Sequence, residues 1–474
     1  MPPSTLRQLL SLITDSVTHL EEACDKNGTP LPDLNAAFNP KSETFRKDPI
    51  AAEAANIIAA AAFHLCAIVS PPAVTLYQVA SGPWKAAALR ICLESNAIEI
   101  IREAGPKGIH VNAIAAQNGQ DPRILARCLR YMATYHIFRE VKPDVFANNR
   151  ISSLLDTMKL SDELFDYLKA PRKSMTTRML HWKTRLDEGF KAAAHAWEAC
   201  LDPTTRLGDP SASPFSKSIG RSESLWQYYA RSDQTFRRHR FNIAMQGIQA
   251  LQPPDAILTV YKWKKVPPGS VIVDVGGGIG TAQFPLVREF PHLKIIIQDT
   301  PKVVDEGIKL WRERMPEALN AGRVSFEAQD FFESQPLRNV SFFFLKQILH
   351  DWSDEYCTRI LKQLRKAASK RTKLLCMDSV IPYACHDPSA DPNAVGTLPG
   401  SVPHEAPAPL LANWGPVNAM AYRADLGMFI LVNAQERTIG HMERLFKQCG
   451  WRIVQVHRQE GDKTFLQSIE AVPI

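Results

Sequence analysis

An apolar run, Val271–Val275, ends in Gly276-Gly277-Gly278-Ile279-Gly280 and gives way to helical periodicity. A glycine-rich turn between strand and helix lets a ligand approach backbone N–H groups and the helix N-terminus, so the chemistry it suggests is binding of a nucleotide-like cofactor. The dinucleotide fingerprint G-x-G-x-x-G fails here, because its last position is Thr281 counted from Gly276 and Gln283 counted from Gly278. Pyrophosphate is therefore disfavoured. The next apolar run ends at Asp299, 23 residues after Gly276, where a carboxylate beyond a strand terminus can accept hydrogen bonds from both hydroxyls of a ribose. A third run delivers Gln329-Asp330-Phe331-Phe332 to the same edge. A carboxylate followed by an aromatic suits the amine and the ring face of an adenine. Each site has a plain structural alternative: Asp299 as the N-cap of a helix beginning near Lys302, and 329–332 as a surface turn with one core phenylalanine.

These residues need a parallel sheet to bring them to one edge, and the chain supplies its pattern after Pro267. Short apolar runs at Val271–Val275, Ile295–Ile297, Val324–Phe326, Ser341–Leu345 and Lys373–Met377 alternate with helical segments, which predicts a doubly wound α/β domain. Seven prolines between Cys385 and Pro416 exclude a helix or central strand there and predict an inserted, mobile loop. The domain resumes at Tyr422 with a helix over Thr438–Cys449 and two closing strands, Arg452–His457 and Thr464–Ile469.

Before residue 265 the pattern is mostly helical. Residues 86–104 read as one helix stopped by Gly105-Pro106, Val111–Asn118 as a second, and Pro122–Tyr135 as a third, followed by an alternating hairpin-like segment. Residues 86–150 together resemble a winged helix-turn-helix. Arg123, Arg127 and Arg130 lie on the third helix, but Glu94, Glu99, Glu103 and Asp121 are nearby, and phosphate binding needs a concentrated basic face. A protein-contact module is the favoured use.

The 474 residues suffice for two to four domains. Hydrophobic residues at 45% and charged residues at 22% exclude wholesale disorder, and a net charge of +7 spread over this length does not imply nucleic acid. Nine cysteines without a C-x-x-C pair suggest neither a disulfide framework nor a zinc site, so a reducing compartment and a cytoplasmic location are expected. No secretory signal is read at the N-terminus. The most apolar stretch, Ala54–Val69, reads as too short for a membrane span of about 20 residues, and is expected to be a buried or partner-facing helix.

The segment VDVGGGIG looks like the first motif of S-adenosylmethionine-dependent methyltransferases, and FFFLKQILHDWSDEYC is more specific still. With FNIAM at 241–245, the block from Val271 to Glu470 resembles the plant and fungal small-molecule O-methyltransferases of the caffeate and flavonoid type, its fungal branch above all. The resemblance runs from about residue 75 to the C-terminus and implies a Rossmann-like α/β methyltransferase domain with an N-terminal, mostly helical, winged-helix dimerisation domain. The expected divisions are a helical extension at 1–70, the dimerisation domain at 71–200 and the catalytic domain at 201–474, with the proline-rich insertion at 385–416.

In this family the histidine of H-D-W is the general base, which here is His350. A phenol has a pKa of about 10, and methyl transfer from a sulfonium needs an anionic or nearly anionic oxygen, so a neutral imidazole has a proton to remove. The resemblance further implies that Asp378 and Glu436 hold His350, with Asp378 standing where plant relatives generally carry the longer Glu. It places Gly276, Asp299, Asp330, Phe331 and Lys346 at the cofactor, and Phe241, Asn242, Met245 and Met428 at the acceptor. The implied protein is a homodimeric O-methyltransferase that methylates a phenolic hydroxyl of an aromatic specialised metabolite with S-adenosylmethionine, needing no metal, nucleic acid or membrane. Two other readings stand beside it: a DNA-binding regulator with a ligand-sensing methyltransferase-like domain, and an enzyme of this fold that uses the sulfonium only electrostatically.

Overall fold

The computed structural model describes residues 3–164, 185–249, 255–388, 394, 396–458 and 466–474. The chain forms two compact units, one of Met1–Ala194 with Trp226–Leu251 and the other of His195–Leu225 with Gln252–Ile474. The helix Thr235–Gln249, which carries Phe241, Asn242 and Met245, groups with the N-terminal residues, although the expected boundary near residue 200 assigns it to the catalytic domain.

In the N-terminal unit, helix Thr5–Asn27 packs on helix Pro49–Val69. Their contact buries Ala23, Cys24, Phe45 and Ala51. The second helix starts earlier than the apolar pattern does, because Asp48 caps it, its Oδ1 accepting from the Ile50 and Ala51 N–H groups at 2.9 and 3.0 Å. This corrects the sequence expectation: the helix has 21 residues, enough by length and composition to cross a membrane, and only 17% of its most apolar window is buried. Helix Pro72–Ala80 follows with no buried residue.

The winged helix is present, with one change. The pattern over 86–104 predicts a single helix, but there are two, Gly82–Glu94 and Ala97–Ala104. They part at Asn96, whose φ of 53° lies in the left-handed region that Asn tolerates better than most residues. Helices Val111–Asn118 and Pro122–Thr134 follow. Strands β1 (Ile109–His110), β2 (Phe138–Lys142) and β3 (Val145–Asn148) form an antiparallel sheet in the order β1-β3-β2. Arg123 pairs with Asp121 at 2.8 Å, and Arg130 with both Glu140 and Asp144 at 2.7 Å. Two of the three arginines on the third helix are thus neutralised by their own neighbours.

The second unit is built on seven strands: β4 (Val271–Val275), β5 (Lys294–Asp299), β6 (Val324–Ala328), β7 (Phe342–Lys346), β8 (Lys373–Asp378), β9 (Trp451–His457) and β10 (Gln467–Pro473). Their order is β6-β5-β4-β7-β8-β10-β9. The first five are parallel, and β10 runs antiparallel to both neighbours. Helices Asp354–Ala367 and Ile439–Gln448 bury Ile360, Leu364, Leu445 and Phe446 on one face. On the other, Leu286, Trp311 and Trp263 do the same. Coverage of both faces is why the strands read as continuous apolar runs. The last strand lies later than predicted, at Gln467–Pro473, and Thr464 falls outside the described residues.

The proline-rich insertion forms neither a helix nor a strand of the main sheet among its described residues before Gly415. Among its described residues, the Pro399 carbonyl accepts from the Val456 N–H at 2.9 Å and the Gly400 carbonyl from Arg458 Nε at 2.7 Å. Leu398 packs on the core, and Trp414 is buried with its Nε1 donating to the His404 carbonyl at 3.0 Å. Proline lacks an N–H but keeps its carbonyl, so this segment can satisfy the free edge of β9 without extending the sheet.

Candidate active site

Strand order reverses at β4, with β5 on one side and β7 on the other, which opens a crevice beyond the carboxyl ends of these strands. The glycine turn after β4 borders it. Gly276 has φ of +70°, and a Cβ there would lie 2.7 Å from Ile348 Cδ1 and 3.4 Å from Phe331 Cε1. The positive φ favours glycine at this turn, and a side chain there would also press on Ile348. Around Gly278 a Cβ would meet nothing within 4 Å.

At the end of β5, Asp299 Oδ2 accepts from the Gly278 N–H at 2.9 Å and its Oδ1 from the Thr300 N–H at 2.7 Å. The next helix, Pro301–Arg314, has Thr300 as its N-cap residue, so Asp299 is not its cap. After β6, Asp330 is exposed and its Oδ1 accepts from the Phe332 N–H at 2.9 Å. Phe331 is half-buried. Its ring meets those of Phe332 and Trp352 edge-on, with centroids 4.9 and 5.9 Å away.

Lys346 ends β7 and is not a solvated surface lysine. It is half-buried, its Nζ donates to Gln347 Oε1 at 3.0 Å, and burial lowers its pKa against the opposing pull of Asp274 and Asp378. The chain then leaves the strand through Gln347, at φ 54°, a conformation uncommon outside glycine. A short 3₁₀ turn, Leu349–Asp351, presents His350.

His350 Nδ1 lies 2.8 Å from Glu436 Oε1. A carboxylate can only accept, so Nδ1 carries the proton and Nε2 is the nitrogen left for chemistry. The ring is 12% exposed and the Glu436 side chain 1%. Asp378, at the end of β8, makes no hydrogen bond to the ring; its Oδ2 accepts from Cys376 Sγ at 3.1 Å. Of the two expected carboxylates, the structure brings one to hydrogen-bonding distance. Asp351 Oδ1 instead lies 3.6 Å from His350 Nε2.

Burial opposes a charge on His350, but Asp351, Glu436 and Asp378 outweigh it and push the imidazole up to about 10. Burial also raises the Asp378 carboxyl to about 7 and that of Asp351 to about 6, with the His350 charge restraining both.

Three functional candidates escape sequence reasoning. Asp351 is one, although it adjoins His350 in the motif. Arg437, next to Glu436, is another: its Nη1 donates to the Leu349 carbonyl at 2.8 Å, its Nη2 to the Trp352 carbonyl at 2.7 Å, and its Nε to Asp354 Oδ1 at 2.9 Å. It is 2% exposed and grips the backbone on both sides of His350. The third, Asp274, lies within VDVGGGIG beneath the glycine turn and accepts from Gln283 Nε2 at 2.8 Å. Burial raises its pKa to about 7.

The expected acceptor residues are divided between the two units. Met428 is half-buried on helix Ala419–Val432 of the second unit. In the other unit, Phe241 and Met245 are half-buried on Thr235–Gln249, and Phe241 packs against Tyr229 with centroids 4.8 Å apart. Asn242 lies on the same helix. Asn433, one residue past the Met428 helix, donates through Nδ2 to the Thr205 and Asp209 carbonyls at 2.8 and 3.0 Å, which is a structural tie.

The crevice suits S-adenosylmethionine by its chemistry. It presents the Asp299 carboxylate, the Phe331 ring and open space at Gly278. Residues 197–395 match the family model described as an O-methyltransferase domain. The chain is 47% identical over 473 residues to 4-O-methyltransferase 1 of Phanerochaete chrysosporium, covering 99% of this chain and 100% of that one. Among solved structures, the mitomycin 7-O-methyltransferase MmcR is similar at 21% identity and a TM-score of 0.62, over 84% of this chain and 97% of that one. LepI in complex with SAM is similar at 15% identity and a TM-score of 0.65, over 89% and 94% respectively. The crevice, the family model and the fungal relative agree: this chain belongs to the O-methyltransferases that use S-adenosylmethionine.

Proposed function

We propose that the enzyme methylates a phenolic hydroxyl of an aromatic secondary metabolite, with His350 as the general base. The observation that carries this reading is the 2.8 Å contact between His350 Nδ1 and Glu436 Oε1, which leaves Nε2 as the base nitrogen. When bound, S-adenosylmethionine supplies an electrophilic methyl group. His350 Nε2 takes the phenolic proton, Glu436 fixes the tautomer and stabilises the imidazolium, and Arg437 keeps the 349–352 backbone in place. Asp378 contributes charge without a direct bond. Cofactor roles for Gly276, Asp299, Asp330, Phe331 and Lys346, and acceptor roles for Phe241, Asn242, Met245 and Met428, belong to the same proposal. So does its extension from a fungal 4-O-methyltransferase and a mitomycin 7-O-methyltransferase to aromatic secondary metabolites.

A homodimer in the cytoplasm completes the reading. Its support is an apolar surface on the N-terminal helices, with Phe63, Val69, Leu76, Tyr77, Val79 and Trp84 each more than half exposed, together with nine free thiols. Incubating the protein with labelled S-adenosylmethionine and a phenolic library tests the activity. A product heavier by one CH₂ and carrying an aryl methyl ether is expected. Transfer only to carboxyl, amine or thiol acceptors contradicts it.

A further inference from the structure

Removing a proton with a buried base leaves that proton to be disposed of, and among the described residues one carboxylate faces the base nitrogen. Asp351 Oδ1 stands 3.6 Å from His350 Nε2, while Glu436 occupies Nδ1 on the other side of the ring. The His350 side chain is 12% exposed, and that of Asp351 is 23% exposed. The charged groups around the pair come from three elements. Glu436 lies beyond helix Ala419–Val432, with its N–H donating to Asp425 Oδ1 at 2.9 Å; Asp378 ends β8, and Arg437 acts on it from the segment that carries Glu436. Of the carboxylates, Asp351 alone combines contact with Nε2 and access to water.

Resting on the base assignment above, we infer that Asp351 is the proton exit of the active site, accepting from His350 Nε2 the proton that the acceptor hydroxyl has given up and passing it to water. In the full step the phenolic O–H bond breaks as N–H forms at Nε2, and the S–CH₃ bond breaks as O–CH₃ forms. The proton then moves from Nε2 to Asp351 Oδ1 and on to solvent, restoring both groups without an oxidant or reductant. The 3.6 Å separation is a few tenths of an ångström beyond a hydrogen bond, within reach of a small rotation of the Asp351 side chain or of one bridging water. Burial raises the Asp351 carboxyl to about 6, so it holds a relayed proton better than an ordinary aspartate does.

The test needs no acceptor. Full-length protein labelled with ¹⁵N-histidine is saturated with S-adenosylhomocysteine, and exchange of the His350 Nε2 proton with water is followed by NMR, the resonance being assigned with His350→Ala. In Asp351→Asn the exchange is expected to slow at least about tenfold, because the acceptor of a general-base relay is gone, and Asp351→Glu is expected to restore most of it. Asp351→Ser gives the same readout should the Asn variant not fold. Exchange as fast in Asn and Ser variants as in the wild type overturns the proposal while leaving the base assignment standing. That assignment is tested separately by the turnover of His350→Ala, and normal turnover there overturns both.

Discussion

His350 Nδ1 and Glu436 Oε1 lie 2.8 Å apart, with the glutamate buried behind the imidazole. The next residue, Arg437, bonds the carbonyls of Leu349 and Trp352, so one dipeptide fixes both the ring and the backbone that carries it. The base is positioned from a segment 86 residues away, and its tautomer depends on a single carboxylate.

Glu436→Gln is therefore expected to cost more turnover than Asp378→Asn. A glutamine amide can donate to Nδ1 and place the proton on Nε2, the wrong tautomer for a base, lowering kcat by about 10²-fold or more. Asp378 lacks a bond to the ring, and its loss should cost no more than about tenfold, through charge alone. Steady-state rates of the two variants decide it, and the reverse order would show that Asp378 reaches the ring during turnover.

The raised pKa of His350 gives a pH signature. Its folded value of about 10 lies above the ordinary imidazole value of about 6.5. Its contribution to stability is accordingly complete below about 6.5 and lost as pH rises through about 10. Denaturant midpoints should fall more between pH 7 and 10 in the ligand-free wild type than in His350→Ala. Equal falls would show that the carboxylates around His350 do not raise its pKa.

Asp299→Ala should weaken S-adenosylmethionine and S-adenosylhomocysteine alike, because both carry the ribose that this carboxylate is proposed to accept and it does not touch sulfur. Calorimetry with both ligands checks this. Loss of binding to one alone would mean that Asp299 senses the sulfonium charge.

The exposed apolar helix Pro72–Ala80 predicts that Leu76→Glu with Val79→Glu converts a dimer to a monomer, since paired charges cannot be buried at an apolar interface without a large cost. Light scattering at micromolar concentration reads the mass. A wild-type monomer would contradict the dimer.

The parallel sheet is legible in sequence because burial on both faces leaves continuous apolar runs, and Val271–Val275 has the bounds its pattern predicts. The helix break at Asn96 is not, since a left-handed residue leaves the surrounding periodicity intact. The anchoring of the insertion is hidden for another reason: prolines advertise what they cannot donate, while Pro399 acts through its carbonyl. In the site, Asp299 stands at the strand end where pattern locates it, and His350 in a turn just past one. Glu436 is reached through the resemblance, whereas the roles of Asp351 and Arg437 come from distances to Nε2 and to two carbonyls, which spacing along the chain does not encode.

The claim that His350 is the base for methyl transfer is tested most directly by the turnover of His350→Ala on a phenolic acceptor, with calorimetry for S-adenosylmethionine on the same sample. A loss of about 10²–10⁴ in kcat with nearly unchanged cofactor affinity is predicted, the usual contribution of a positioned general base. Turnover within a few-fold of the wild type at neutral pH would contradict it.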